Sequence, residues 1–274
     1  MTIQPTTWRL IKTAPAFGAW NMAVDETILE SIGRGDTPPT LRMYAWDPPC
    51  LSIGYAQSIK DADFQTIRAR GWHLVRRLTG GRAILHTDEL TYSVIGSAKE
   101  PRLAGSVIDS YERLSRALLH ALHLLALPAQ ALPKKNDQPK SVEPICFEVP
   151  SHYEITVAGK KLIGSAQARK KTNVLQHGTL PLYGDLTRIT HALTFPSEAE
   201  REQAAQRLLA RATTVEAVLQ RAIPWEQAAA AFEQAFAQTL DIQLEPGELT
   251  PAELGRAEEL VNKKYAHSDW NERI

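Results

Sequence analysis

The chain has 274 residues, which suits one large domain or one domain with a small appendage. Apolar residues make up 43% of it, enough for a hydrophobic core, and its 31 Lys and Arg residues balance its 31 Asp and Glu residues. A protein that coats nucleic acid needs a basic excess, so this balance argues against nucleic acid as a partner.

The two cysteines, Cys50 and Cys146, are too few for a disulfide scaffold and suit a reducing compartment. The N-terminal stretch has no apolar run of signal-peptide length, and no segment approaches ~20 consecutive apolar residues. From these features we expect a soluble, cytoplasmic protein with no membrane partner.

Apolar periodicity and chain breakers predict the elements of the first hundred residues. These are a strand over 8–11, a helix over 19–29, strands over 41–46 and 51–55, a short helix over 64–70 and a strand over 90–95. Met22, Ile28 and Leu29 can form the inner face of the first helix, and Asn21 is a candidate to cap its start. Cys50 is interpreted as a small apolar packing residue.

A glycine pair, Gly80-Gly81, lies between two strands predicted within 73–86, with Arg76-Arg77 before it and Arg82 after it. Glycines allow backbone N–H groups to approach an anion or a developing oxyanion closely. The alternative is an ordinary hairpin with charged edges. The spacing matches neither the Walker phosphate loop, which needs Lys-Ser/Thr after the second glycine, nor the Rossmann fingerprint.

The clearest helix is predicted over 107–127, where apolar residues recur every three to four positions until Pro128 ends the pattern. His120 and His123 lie on it, but no third ligand is near them in sequence, so we interpret both as partly buried or surface residues and predict no metal site. A polar, proline-bearing loop follows over 129–143 and leads to Cys146.

A β-meander is predicted from the alternation of Tyr153, Ile155 and Val157 with polar residues. Ala158-Gly159 can turn the chain, a second strand begins near Lys160, and a third covers about 173–182. The next segment, 198–265, is mostly helical in pattern, and a final helix is predicted over 251–264. We therefore expect an α/β or α+β fold with mixed, largely antiparallel sheets and a helical C-terminal portion.

The meander brings a thiol and an amine into the same region, because Cys146 precedes its first strand and Lys161 begins its second. A nearby positive charge stabilises a thiolate and lowers a cysteine pKa from its reference of about 8.5, which makes a nucleophile. The alternative for Cys146 is a buried core cysteine. His177 lies in an apolar strand and, from the residues alone, is a satisfied core histidine.

Several motifs together resemble the lipoate/biotin protein ligase and octanoyltransferase superfamily, and within it the LipM-type octanoyltransferases. The motifs are Asn21–Glu26, RRLTGGRAILH over 76–86, Cys146-Phe147-Glu148, KLIGSAQ over 161–167, Gln176-His177-Gly178 and Trp270-Asn271. The resemblance implies a class II synthetase-like catalytic domain over 1–250, with 251–274 as a C-terminal helix and tail packed on it.

Two features favour a transferase over an ATP-dependent lipoate–protein ligase. Lipoate ligases typically have three glycines at the arginine motif, whereas Arg82 stands third here, and Cys146 matches the position of the LipM nucleophile. The resemblance implies no metal and no cofactor, and ATP only in the ligase alternative. A third possibility is a non-catalytic carrier-binding module, which would not need the cysteine and the lysine that this chain retains.

The resemblance also implies site residues and partners. Cys146 and Lys161 would be catalytic, and the substrate-binding set would be Arg76, Arg77, Thr79, Gly80, Gly81, Arg82, His86, Gly164, Ser165, Ala166 and His177. Val75, Ile84 and Leu85 are candidates to line an acyl tunnel. The implied donor is octanoyl-acyl carrier protein, the implied acceptors are lipoyl domains or the glycine-cleavage H protein, and we expect a monomer.

Overall fold

The structure, a computed structural model, describes residues 6–133 and 153–274. Cys146 and most of the loop predicted over 129–143 lie outside these ranges. No helix in the described ranges is long and apolar enough to cross a membrane.

The strands of the described residues form two sheets. They are β1 (Thr6–Lys12), β2 (Thr40–Tyr44), β3 (Cys50–Ile53), β4 (His73–Arg76), β5 (Ile84–His86), β6 (Glu89–Ser97), β7 (Gln130–Pro133), β8 (Tyr153–Val157), β9 (Lys160–Lys170), β10 (Asn173–Pro181) and β11 (Ile242–Pro246). The helices are α1 (Gly18–Arg34), α2 (Phe64–Ala69), α3 (Val107–Leu124), α4 (Glu198–Arg211), α5 (Val215–Leu219), α6 (Trp225–Leu240), α7 (Pro251–Leu260) and α8 (Ser268–Asn271).

The main sheet has the strand order β11-β1-β2-β6-β10-β9-β8-β7. The β11–β1 and β1–β2 pairs are parallel, and the remaining pairs are antiparallel. The small sheet has the order β4-β3-β5, with β3 parallel to β4 and antiparallel to β5. The predicted fold class of mixed, largely antiparallel sheets with helices is therefore confirmed.

The main sheet separates two hydrophobic layers, because side chains alternate between the two faces of a strand. On β6, Leu90, Tyr92 and Val94 are buried in the layer with α3 and α6, whereas Ile95 is buried in the layer with α1 and α7. A third cluster fills the space between the small sheet, α2 and α4. The face of the main sheet that carries α1 also meets the small sheet, through Cys50 and Val75.

Helix α3 forms where the sequence predicts it. The Ser106 side chain accepts the N–H of Asp109, and the Asp109 carboxylate accepts the N–H of Ser106, which completes a capping box. Leu114, Leu118 and Leu122 recur every four residues and are buried. Burial of such a side chain stabilises the fold by about 1.5–3 kcal/mol.

The β-meander is confirmed as β8, β9 and β10, with Ala158 and Gly159 at positive φ between β8 and β9. One alternative is excluded, and two other predictions are wrong. The strands around Gly80-Gly81 do not form a hairpin, because β4 and β5 each pair with β3 instead. The stretch 198–265 is mostly helical as predicted, with the short strand β11 inside it. Strand β7 occupies the start of the segment predicted as a loop. Asn21 does not cap α1, because the helix begins at Gly18 and Asn21 lies inside it.

Candidate active site

A partly enclosed cavity lies between the main sheet, the small sheet and α1. Its empty volume, which includes space open to solvent, is about 370 Å³. Six residues of the predicted substrate-binding set line it: Arg77, His86, Gly164, Ser165, Ala166 and His177. Ile84 lines the cavity as predicted, but Val75 and Leu85 do not. Val75 is buried in the cluster with α1, and Leu85 is buried in the cluster with α2 and α4 on the other face of the small sheet.

His86, at the end of β5, forms one wall of the cavity. Its Nδ1 lies 2.6 Å from Glu89 Oε1, and its Nε2 lies 2.8 Å from Ser52 Oγ. The imidazole stacks on Trp46, with ring centroids 3.9 Å apart and planes within 8°. Burial opposes ionisation of Glu89, but its contacts with His86 and the hydrogen bond from Thr91 together hold the Glu89 pKa below the usual value.

His177 reaches the same cavity from β10. Its Nε2 lies 2.7 Å from Thr79 Oγ1, and its Nδ1 lies 3.4 Å from Asp25 Oδ2. Burial lowers the pKa of His177 despite its contact with Asp25, so the imidazole is neutral near pH 7. The neutral ring can donate a hydrogen bond from Nδ1 to Asp25 and accept a hydrogen bond from the Thr79 hydroxyl at Nε2.

Asp25 is a buried carboxylate at the centre of this arrangement. Arg42 Nη1 donates to it at 2.8 Å, and the hydroxyls of Tyr44 and Ser93 donate to it at 3.0 Å. Burial opposes its ionisation, but the hydrogen bond from His177 together with the charge and hydrogen bond of Arg42 prevails and lowers the Asp25 pKa. Asp25 is therefore ionised and fixes the orientation of His177.

Residues 77–82, here called the arginine–glycine loop, approach the cavity through Arg77. Its Nη1 donates to Ser52 O at 3.1 Å, and its Nη2 donates to the carbonyls of Gly80 and Arg82, both at 2.8 Å. The loop therefore curls around its own arginine. Thr79 is buried and contacts the cavity through His177, whereas Gly80 and Gly81 are exposed and Arg82 is half-buried.

Arg76 belongs to the predicted binding set but does not line the cavity. It is fully buried, and its guanidinium donates to the carbonyls of Gly54, Gln57 and Asn271 at 2.6–3.1 Å. Its neighbour Arg77 points to the opposite side, since successive residues of a strand face opposite ways.

Lys161, near the start of β9, is 3% exposed, and its Nζ lies 3.5 Å from Glu154 Oε1 on the paired strand β8. The cavity wall Gly164–Ala166 continues along the same strand. Cys146 lies outside the described residues. Cys50 is confirmed as a packing residue: it is fully buried, and burial together with the charge of Glu89 raises the pKa of its thiol.

Seven residues that line the cavity were not among the predicted site residues: Met22, Tyr44, Trp46, Ser52, Thr91, Gly178 and Thr179. Trp46 closes the wall behind His86 and donates from Nε1 to Thr91 Oγ1 at 2.8 Å. One available signal was Asp25, a charged residue within the apolar stretch of α1, which indicates a buried polar network.

Comparison with known sequences identifies relatives over nearly the whole chain. The lipoyl protein ligase A/B catalytic domain family matches residues 18–237. Octanoyltransferase LipM of Brevibacillus brevis is 43% identical over 272 residues, which cover 97% of this chain and 99% of that protein. Octanoyltransferase LipM of Bacillus subtilis is 37% identical over 275 residues, which cover 98% of this chain and 99% of that protein.

Solved structures agree with the fold. A bipartite lipoate protein ligase from Thermoplasma acidophilum, described with its E2 lipoyl domain, superposes with a TM-score of 0.80 at 26% identity, covering 98% of this chain and 96% of that one. A lipoate-protein ligase A bound with ATP superposes with a TM-score of 0.79 at 26% identity, covering 97% and 99%.

Proposed function

Since the chain belongs to the lipoyl protein ligase A/B family and to its LipM-type octanoyltransferases, we propose that Cys146 takes an octanoyl group from acyl carrier protein and passes it to a protein lysine. The chain is an acyltransferase of protein lipoylation. The proposal adds the donor, the covalent intermediate and the acceptor, which is a lipoyl domain or the glycine-cleavage H protein.

The observation that carries the proposal is the placement of Lys161. Its buried ammonium group lies on the strand whose residues 164–166 form a wall of the cavity. At about 3.3 Å per residue, Lys161 is roughly 10 Å along the strand from that wall, which suits a reacting carbonyl at the mouth and an acyl tail inside. The full-length similarity to octanoyltransferases supports the same assignment.

The first step transfers the acyl group to the enzyme. The Cys146 thiolate bonds to the carbonyl carbon of the donor thioester, and the bond from that carbon to the phosphopantetheine sulfur breaks. The departing thiolate takes a proton from the Lys161 ammonium, so that an S-octanoyl enzyme, a free carrier thiol and a neutral Lys161 remain.

The second step transfers the group to the acceptor. The acceptor lysine has a reference pKa near 10.4 and must lose a proton to solvent before it reacts. Its amine nitrogen then bonds to the thioester carbon, and the Cys146 thiolate leaves. Lys161 takes the proton that the new amide nitrogen releases, which restores the starting charges.

The cavity supplies an environment for the tail. Met22, Trp46, Ile84 and Ala166 contribute apolar wall, and transfer of each methylene from water to such a wall is worth about 0.8 kcal/mol. Backbone N–H groups near Gly80-Gly81 and Gly164 are our candidates to stabilise the developing oxyanion.

The alternative is an ATP-dependent lipoate–protein ligase, which the likeness to an ATP-bound ligase structure keeps open. A reconstitution separates the two. Wild-type protein, octanoyl-acyl carrier protein and an apo acceptor are mixed without ATP, and the acceptor is weighed by mass spectrometry. We expect one octanoyl group on the acceptor and none on an acceptor whose target lysine is arginine. Modification only from free octanoate with ATP would establish the ligase.

A further inference from the structure

The C-terminal tail, residues 270–274, holds the outer edge of the small sheet. Strand β4 is an edge strand, and Arg76 is its last residue. Asn271 Oδ1 accepts the backbone N–H of Arg76 at 2.8 Å, and Trp270 Nε1 donates to the backbone carbonyl of Arg76 at 2.8 Å. Two side chains of the tail thus satisfy both backbone groups of the residue that precedes the arginine–glycine loop.

The guanidinium of Arg76 makes further contacts with the tail. Nε and Nη2 donate to the Asn271 carbonyl at 3.1 and 2.8 Å, while Nη1 donates to the carbonyls of Gly54 and Gln57 at 2.9 and 2.6 Å. Arg273 contributes from the tail as well, since its Nη2 donates to Tyr55 O at 2.9 Å. A fully buried cation therefore ties the tail to segment 54–57.

Segment 54–57 in turn touches the arginine–glycine loop. The Tyr55 N–H donates to Thr79 O at 2.9 Å. Gly54 approaches the backbone of Gly81 so closely that a Cβ at this position would collide with the Gly81 carbonyl. From the loop, Thr79 Oγ1 reaches His177, and Arg77 reaches Ser52, both in the cavity wall. The contacts therefore run without interruption from the tail to the cavity.

We infer that Trp270 and Asn271 are positioning residues, which set the arginine–glycine loop in place for binding of the acyl donor. They act through Arg76 and do not line the cavity. This inference rests on the proposed function, because the donor whose binding is measured is octanoyl-acyl carrier protein. It also explains why Arg76 is buried away from the cavity although it lies in the arginine motif.

The test compares Asn271→Ala with Asn271→Asp. Alanine removes the acceptor for the Arg76 N–H, whereas aspartate keeps that acceptor and loses the Nδ2 donor to Tyr265 O. In steady-state transfer without ATP, we expect Asn271→Ala to raise KM for octanoyl-acyl carrier protein about tenfold with kcat changed less than twofold. Asn271→Asp should stay within about threefold of the wild-type KM. Glu272→Ala, an exposed neighbour in the tail, is the matched control and should equal wild type.

A second readout does not depend on the enzyme's activity. Trypsin cleaves after Arg77 and Arg82 when the arginine–glycine loop is released, so Asn271→Ala should be cut there about tenfold faster than wild type or Glu272→Ala. If wild type transfers no octanoyl group, the proposed function fails. The proteolysis experiment still tests whether the contacts of Trp270 and Asn271 with Arg76 hold the arginine–glycine loop in place. The inference is overturned if Asn271→Ala keeps the wild-type KM and cleavage rate, or if both Asn271 variants lose kcat only in proportion to lost folded protein.

Discussion

At the scale of single residues, the two histidines of the cavity have different surroundings. His86 is held between Glu89 and Ser52 and stacks on Trp46. His177 faces Asp25, Arg77 and His86, and burial lowers its pKa. A histidine whose pKa is lower in the folded than in the unfolded state makes stability depend on pH in a defined direction.

We predict that His177 causes a loss of stability as the pH falls below about 6.5. Above its unfolded pKa of about 6.5, both states are neutral at this residue; below it, the unfolded chain takes up the proton first, so the free energy of unfolding falls by up to about 1.4 kcal/mol per pH unit. Asp25 and Glu89 have lowered pKa values, so their stabilisation is lost only at more acidic pH. Measured by urea unfolding, the free energy of unfolding of His177→Gln should depend less on pH below about pH 6.5 than that of wild type. Parallel curves would refute the assignment of a neutral His177.

The neighbouring lysines at the start of β9, Lys160 and Lys161, have different surroundings. Lys161 is buried beside Glu154, whereas the Lys160 ammonium lies near the surface and donates to Leu209 O at 2.7 Å. If Lys161 handles the proton, Lys161→Ala should slow acyl-enzyme formation by about 10²–10⁴, the usual contribution of a general acid–base group. Lys160→Ala should stay within about twofold of wild type in the same rapid-quench assay. Equal effects of the two variants would exclude the role given to Lys161.

At the scale of elements, the contact of β6, β10 and β9 depends on a residue without a side chain. Gly178 on β10 lies between Tyr92 and Ser165, whose hydroxyls are 2.8 Å apart. A Cβ on Gly178 would lie 2.5 Å from Ser165 Oγ and 2.7 Å from the Gly164 carbonyl, closer than real contacts allow. The cavity wall at 164–166 therefore keeps its position because residue 178 is glycine.

Gly178→Ala should reduce the free energy of unfolding by about 1–3 kcal/mol, the usual cost of overpacking. Gly255→Ala is the matched control, because no atom of residues 6–133 or 153–274, its neighbours along the backbone of α7 excepted, lies within 4 Å of its Cβ position. There alanine should raise stability by about 0.5–1 kcal/mol, since it is the better helix former. Chemical denaturation measures the free energy of unfolding of both variants. A Gly178→Ala protein as stable as wild type would show that β9 and β10 can shift to make room for the added Cβ at little cost in free energy.

The elements also show what the sequence could and could not predict. Helix α3 and the β8–β10 meander follow from local patterns, because their partners are adjacent in sequence or their apolar stripe is continuous. The hairpin left open as an alternative at Gly80-Gly81 does not form, because β3, a strand from some thirty residues earlier, pairs with both β4 and β5. Strand β11 was missed because it is short and pairs with β1 at the far end of the chain.

The residues of the candidate site also differ in whether the sequence could reveal them. His86, His177 and Gly164–Ala166 were found from motifs that carry their own spacing, and they meet in one cavity. Trp46, which no motif contained, reaches the cavity only because the small sheet folds over the main sheet. The contact of Trp270-Asn271 with Arg76 spans more than 190 positions, and such long-range contacts leave no local pattern.

At the scale of the whole molecule, the two ends of the described chain join the same layer. Arg9 on β1 makes a two-pronged ion pair with the buried Glu253 of α7, at 2.7 and 2.8 Å. Glu253 also caps α7 through Thr250, and α7 packs on α1 through Ala257 and Leu260. Helix α1 thus lies between α7 and the sheet, and it carries Asp25 toward the cavity.

The proposed transfer depends on a covalent octanoyl group at Cys146, and the intact mass of the enzyme shows whether that group is present. Wild-type protein is mixed with octanoyl-acyl carrier protein, without ATP and without an acceptor, and is weighed by electrospray mass spectrometry. We predict one added octanoyl group, released by hydroxylamine and absent from Cys146→Ala, while Cys50→Ala is acylated normally. An enzyme that stays unmodified under these conditions, or a Cys146→Ala protein that still gains the group, would contradict the account.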